Sequence, residues 1–165
     1  MSLTQTENTI VREITIDAPA EKIFAALTDP KQLPQWWGED GKYHTEHMDV
    51  DLHVGGRWRT TGTDPAGNAF SVEGEYRIVQ PPHLLEFTWR HDWKGADRTE
   101  TVVRYELIPQ NGSTLVRVTH SGFESAQSRD DHGRGWVQVL NWLKAYLRSS
   151  TSVDHTSHVN QRIAP

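Results

Sequence analysis

The sequence predicts an α+β domain in which a curved antiparallel sheet of six to seven strands wraps around one long carboxy-terminal helix. Three observations predict it. Between Gly135 and Leu147, the residues Trp136, Val139, Leu140, Leu143, Tyr146 and Leu147 recur at helical spacing as one broad apolar stripe. Gln138, Asn141, Lys144 and Arg148 fall mainly on the other side. From Tyr43 to His120 the apolar period is instead two, the mark of strands with one buried face. No strand in that series is followed by an amphipathic helix until the last, so the sheet is antiparallel and its helices lie on one face.

The elements follow in order. Thr9 to Ile16 is rich in β-branched residues and reads as the first strand. Asp17-Ala18-Pro19 opens a helix whose buried face is Ile23, Phe24 and Leu27, and Thr28-Asp29-Pro30 closes it. Pro30 to Gln35 reads as a second short helix, running into Trp36-Trp37-Gly38. Those two tryptophans either plug the end of the core or form the rim of a pocket.

The next strand carries Met48, Val50, Leu52 and Val54 on one face and ends at Gly55-Gly56. Arg57 to Thr63 follows, with Trp58 and Thr60 inward, and Asp64-Pro65-Ala66-Gly67-Asn68 makes a hairpin turn. Phe70, Val72, Gly74, Tyr76 and Ile78 share one face of the next strand, which Gln80-Pro81-Pro82 stops. Leu85, Phe87 and Trp89 alternate with Glu86, Thr88 and Arg90, and polar His91 to Arg98 reads as a loop. Thr101, Val103, Tyr105 and Leu107, then Val116, Val118 and His120, complete the sheet around a turn at Pro109 to Gly112. Gly133 and Gly135 disfavour a helical first turn, so the long helix is expected to start near Gly135. Residues 149–165 lack an apolar stripe, and with 1–8 they read as polar, flexible termini around a single domain at 9–148.

Composition narrows the function. Seventeen basic against twenty-two acidic residues give a formal charge of −5, which argues against nucleic acid or an anionic membrane as partner. The absence of cysteine excludes disulfides, thiolate catalysis and Cys-ligated metals. Met1 to Asn8 lacks an apolar signal core and no run reaches membrane-spanning length, so a soluble cytoplasmic protein is expected. Seven tryptophans are unusual, and an aromatic-lined cavity accounts for them.

Among chemistry-bearing residues, His120 is the candidate acid–base group, because it shares inward parity with Val116 and Val118 near a strand end. The plainer reading is a core histidine satisfied by a backbone carbonyl or Ser121. Tyr76 and Tyr105 share the inward parity and bring phenols toward the same space, or else lie at the edge of the core with hydroxyls reaching solvent. Nine histidines invite a metal test. His44 and His47 fall on opposite faces, His53 points outward, and His155 and His158 sit in the tail. His120 with Asp130, Asp131 and His132 matches no recognised zinc or iron spacing, so no metal and no cofactor is expected. No Gly-x-Ser-x-Gly and no phosphate-cradling loop occurs.

The chain resembles the helix-grip proteins of the START and birch-pollen-allergen (SRPBCC) superfamily, and within it the relatives of the activator of the heat-shock protein 90 ATPase. The matching residues are Asp17-Ala18-Pro19-Ala20 with Ile23-Phe24, Leu33 with Trp36-Trp37-Gly38, and Asp51-Leu52 before Val54-Gly55-Gly56-Arg57-Trp58. They continue through Asp64-Pro65 with Gly67, Pro81-Pro82 before Leu85-Phe87-Thr88-Trp89, and Glu100-Thr101-Val102-Val103. His120-Ser121-Gly122-Phe123 and Gly135-Trp136 with Leu140 and Leu143 complete the set, over about residues 10 to 148. The resemblance implies a helix-grip fold with a cavity; its members include ligand carriers, cyclases and chaperone cofactors, so fold does not fix function.

The resulting expectation is a cavity that binds a small hydrophobic or amphipathic molecule, lined by Trp58, Tyr76, Trp89, Tyr105, His120, Trp136 and Leu140. The alternatives are a cyclase, dehydratase or hydrolase using His120 as acid and base, and a chaperone-cofactor-like interaction domain. The last needs an exposed apolar patch on an outer sheet face that reads as Arg, Glu and Thr. Nucleic acid and membrane are not expected as partners, and a homodimer is left open.

Overall fold

The computed structural model describes residues 8–37, 44–63, 66–91 and 99–156. In chain order they form β1 (Thr9–Ile16), α1 (Ala20–Thr28), α2 (Leu33–Trp36), β2 (His44–Val50), β3 (Arg57–Thr63), β4 (Ala69–Gln80), β5 (Leu84–His91), β6 (Thr101–Gln110), β7 (Ser113–Ser121) and α3 (Ala126–Thr156). The strands make one antiparallel sheet of seven in the order β1-β7-β6-β5-β4-β3-β2. The α+β helix-grip expectation holds: Trp136, Val139, Leu140, Leu143 and Leu147 of α3 are buried with Val103, Tyr105, Val116 and Val118 of the sheet. The expected loop at 92–98, Asp64-Pro65, the terminal segments 1–7 and 157–165, and the side chains of His44, His155 and His158 lie outside the described residues.

The outer face is charged as its alternation requires. Glu86 lies opposite Arg104 with a 3.1 Å contact, and Glu13 opposite Arg117 at 2.6 Å. Glu73 faces Arg90 in the same way. Such half-exposed cross-strand pairs contribute at most about 1 kcal/mol each. Their value here lies in register, since a one-residue slip would drive every charge into the core.

Four expectations are corrected. β2 stops at Val50, and Val54 is 65% exposed, because the chain from Asp51 to Gly56 turns on itself. The N–H of His53 reaches Asp51 O at 2.9 Å and that of Gly56 reaches His53 O at 2.8 Å, with Gly55 at φ +89°. Ile78 does not share the inward face of Tyr76. A bulge between them places Ile78 opposite Glu86, and Val79 packs against the core in its stead. Thr88, expected outward with Glu86 and Arg90, is buried.

The last correction concerns the long helix, which begins at Ala126 rather than near Gly135. Ser125 caps it by accepting the Ser128 N–H at 3.1 Å. Gly133 then lies inside the helix where Arg12 of β1 crosses: a Cβ there would sit 2.8 Å from the guanidinium, and Gly133 O accepts from Arg12 Nε at 3.3 Å. Helix propensity is sacrificed at that point for close approach of helix and strand. The backbone of α3 continues to Thr156.

Candidate functional site

Between strands β2 to β6 of the sheet and the two short helices lies an aromatic cleft. Trp58, Tyr76, Phe87, Trp89 and Tyr105 form its sheet wall; Leu27, Leu33 and Trp37 close it from the helices, and Met48, Val50 and Thr60 from the β2–β3 edge. Counted with its open mouth the cleft holds about 490 Å³ of empty space. The part of it in which a water-sized molecule can be centred is about 40 Å³, room for roughly three waters. None of the described residues that line it carries a charge.

The wall is set by local backbone devices. Trp58 reaches from β3 across β4 to β5, where its indole N–H donates to Thr88 O at 3.2 Å. The crossing is open because Gly74 has no side chain: a Cβ there would stand 1.8 Å from Thr88 O and 2.6 Å from Trp58 Nε1. Thr88 in turn accepts the Glu75 N–H on Oγ1 at 2.9 Å, which explains its burial. A side chain thus takes the place of a ladder bond on each strand, and both backbone groups stay satisfied. Tyr76 is fixed by the glycine turn, since Gly55 N–H donates to Tyr76 O at 2.9 Å and Tyr76 N–H to Gly56 O at 2.8 Å.

The phenols themselves are different. Tyr76 is 4% and Tyr105 2% exposed, and neither hydroxyl has a hydrogen-bond partner among the described residues. Burial pushes both phenols above their ordinary range, and the nearby Tyr76 pushes Tyr105 further. Both therefore stay protonated and able to donate.

Behind Trp89 and Tyr105 is a second, polar cluster. His120, 0% exposed, accepts the Trp136 indole N–H on Nδ1 at 2.9 Å. An indole can only donate, so the neutral imidazole carries its proton on Nε2 and donates to Thr101 Oγ1 at 2.6 Å. Thr101 donates its own hydroxyl hydrogen bond to Trp89 O at 3.2 Å. Desolvation holds His120 well below its ordinary pKa, and the neighbouring His132 and His91 rings add to this. The latter two are stacked at 5.2 Å. Among the described residues no group of three or more His, Asp and Glu side chains is placed to hold a metal ion.

Of the seven residues expected to line a cavity, the structure brings Trp58, Tyr76, Trp89 and Tyr105 together on one wall. His120, Trp136 and Leu140 lie outside the cleft lining, in the packed layer with α3. The two readings of the tryptophan pair divide between them. Trp36 is buried and bonded to Ala26 O at 2.9 Å, a plug; Trp37 is half-buried, 5.8 Å from the Trp89 ring, and lines the cleft. Phe87, Met48, Val50 and Thr60 carried the same inward parity as Trp58 and could have been named from it. Leu27 and Leu33 had no such signal, because helix packing decides their position.

A seven-stranded antiparallel sheet gripping a carboxy-terminal helix, with an aromatic cleft beside it, defines a helix-grip protein. Residues 17–148 match the profile described as Activator of Hsp90 ATPase homolog 1-like protein, and the chain belongs to that family. Among solved structures it is similar to protein CV1439 from Chromobacterium violaceum, at 25% identity and TM-score 0.76, over 84% of this chain and 96% of that one. The AHSA1 protein from Silicibacter pomeroyi is 26% identical with TM-score 0.74, over 85% of this chain and 97% of the other. DynU16, from the dynemicin biosynthetic locus, shares the fold at 21% identity and TM-score 0.70, over 87% of this chain and 48% of its own. No curated protein matches the chain in sequence. No helix among the described residues is long and apolar enough to cross a membrane.

Proposed function

We propose that the protein binds a small, mainly apolar molecule in the cleft walled by Trp58, Phe87, Trp89 and Tyr105. The observation that carries this reading is the cleft itself: an uncharged aromatic wall, open to solvent, with two buried hydroxyls. Ligand sites combine such walls with a few convergent polar groups. The space between the walls is small, so a ligand larger than a few waters displaces the half-buried rings of Trp37 and Trp89, which border it. The reading needs no cofactor.

An acid–base role for His120 has less support. Both ring nitrogens are engaged, and the Trp89 ring lies 5.8 Å from the imidazole on the cleft side. To accept a proton from a substrate, His120 would have to break its bond to Trp136. A chaperone-type surface is disfavoured by the Arg–Glu pairs on the outer face.

The test is a thermal-shift series with small aromatic and alicyclic compounds, read beside tryptophan emission. Binding to the folded state raises the melting temperature by mass action. Trp37, Trp58 and Trp89 line the cleft, so the same compounds are expected to change the emission. Absence of any shift across a diverse apolar set would overturn the proposal.

A further inference from the structure

We propose that the ligand presents a neutral carbonyl oxygen, which accepts hydrogen bonds from the hydroxyls of both Tyr76 and Tyr105. This rests on the cleft being a ligand site and names the chemistry it selects.

Every other buried side chain of the described residues that carries a polar atom has a partner. The indoles of Trp36, Trp58 and Trp136 donate to Ala26 O, Thr88 O and His120 Nδ1. The hydroxyls of Thr28, Thr60, Thr101 and Thr114 donate to backbone carbonyls, and Thr88 accepts a backbone N–H. His120 is bonded at both nitrogens, and Ser71 also has a partner. Buried polar groups are almost always satisfied, so an exception asks for a cause. Here the two exceptions, Tyr76 and Tyr105, line the same cavity. A fold that gives its other buried polar side chains a partner has left these two without one, on the wall of the cleft.

The ligand's functional group follows by elimination. Both phenols keep their protons, so the cavity offers donors. None of the described residues that line it is a Lys, Arg or His, so against these walls a carboxylate or phosphate would be buried without a counter-charge. None of them is an Asp or Glu, so an ammonium fares no better. A carbonyl oxygen has two lone pairs and no proton of its own, so it satisfies both hydroxyls and leaves nothing unbonded. The rings of Trp58, Phe87 and Trp89, with Trp58 at 5.4 Å from Phe87 and 5.5 Å from Trp89, suit a flat apolar body attached to that oxygen.

Calorimetry with three probes of one size tests this: acetophenone, α-methylstyrene (the C=CH2 isostere of the ketone) and benzoate at pH 7.5. Acetophenone is expected to bind about tenfold or more tighter than either of the others. In the Tyr76→Phe/Tyr105→Phe double variant, which keeps both rings, the ketone's advantage over the hydrocarbon should fall to about one. Equal wild-type affinities for ketone and hydrocarbon would overturn the carbonyl inference and leave the cleft a ligand site. So would a preference that survives the double substitution, or benzoate binding tightest. Failure of both neutral probes to bind would remove the cleft reading as well.

Discussion

The indole N–H of Trp136 donates to Nδ1 of His120 at 2.9 Å, joining the long helix to β7 through a histidine with no solvent exposure. Because that bond fixes the tautomer, it also orients the bonds from His120 to Thr101 and from Thr101 to Trp89 O. One chain of donors thus links α3, β7, β6 and β5. Trp136→Phe keeps most of the ring but leaves Nδ1 without a donor. It is expected to cost about 1–3 kcal/mol in urea unfolding, the range for a buried acceptor left unsatisfied. Thr101→Val, which strips the acceptor from Nε2, should cost a similar amount. Wild-type stability in both variants would show that the chain contributes nothing.

The same histidine makes stability depend on pH. Its folded-state pKa lies well below the ordinary value of 6.5, through desolvation first and then the His132 and His91 rings. The unfolded chain therefore binds the proton that the folded protein refuses. Stability from this group is complete above about pH 6.5 and declines as pH falls below it, by at most about 1.4 kcal/mol per pH unit. Urea midpoints at pH 7.5 and 5.5 are expected to differ in that direction in the wild type. His120→Gln lowers stability at both pH values and flattens the difference. An equally steep fall in His120→Gln would assign the effect to other groups.

Two glycines carry predictions of opposite sign. At Gly74 a methyl would meet Thr88 O at 1.8 Å and the Trp58 indole nitrogen at 2.6 Å. Neither is free to move, because each is the other's hydrogen-bond partner. Gly74→Ala should therefore cost about 3 kcal/mol or more, at the upper end of overpacking effects. At Gly135, on the exposed side of α3, a methyl would meet nothing within 4 Å. Gly135→Ala should add up to about 1 kcal/mol from helix propensity alone. Thermal melts that rank the two in the opposite order would contradict this account of β4.

These positions also show where sequence reading stops. Period-two alternation placed Val103, Tyr105, Val116, Val118 and His120 inward because a sheet with one wet face admits a single register. It failed at Ile78 and Thr88, where a bulge and a crossing indole change the local geometry without changing the composition. The start of α3 was obscured by Gly133, which is explained only by Arg12, far away in sequence. Trp58, Tyr76, Trp89 and Tyr105 of the cleft were named from parity, and Phe87, Met48, Val50 and Thr60 carried the same signal. The division between cleft and packed layer was not, because parity says which face a side chain occupies and not what lies above it. His120, Trp136 and Leu140 share the face of Tyr105, but α3 covers them.

The two phenols invite a stability test that needs no ligand. Tyr146 donates its hydroxyl to Gln32 Oε1 at 3.1 Å from a half-buried position, so it is a phenol that the fold uses. Tyr146→Phe should lose about 0.5–1.5 kcal/mol, the net worth of an ordinary intramolecular hydrogen bond. Tyr105 is more deeply buried, and burial alone would rank its hydroxyl the more important. Its lack of a protein partner reverses that order. Folding strips water from the Tyr105 hydroxyl and gives it no acceptor among the described residues in return, so Tyr105→Phe should be neutral or stabilising by up to about 1 kcal/mol. The contrast between the two variants cancels what they share, the loss of one oxygen from a tyrosine ring. Urea titrations in which Tyr105→Phe loses as much as Tyr146→Phe would mean that the buried hydroxyl is already satisfied in the empty protein, by water held in the roughly 40 Å³ cavity. A neutral or positive change would mark it as a donor that the fold maintains at its own expense, as a hydroxyl reserved for a ligand must be.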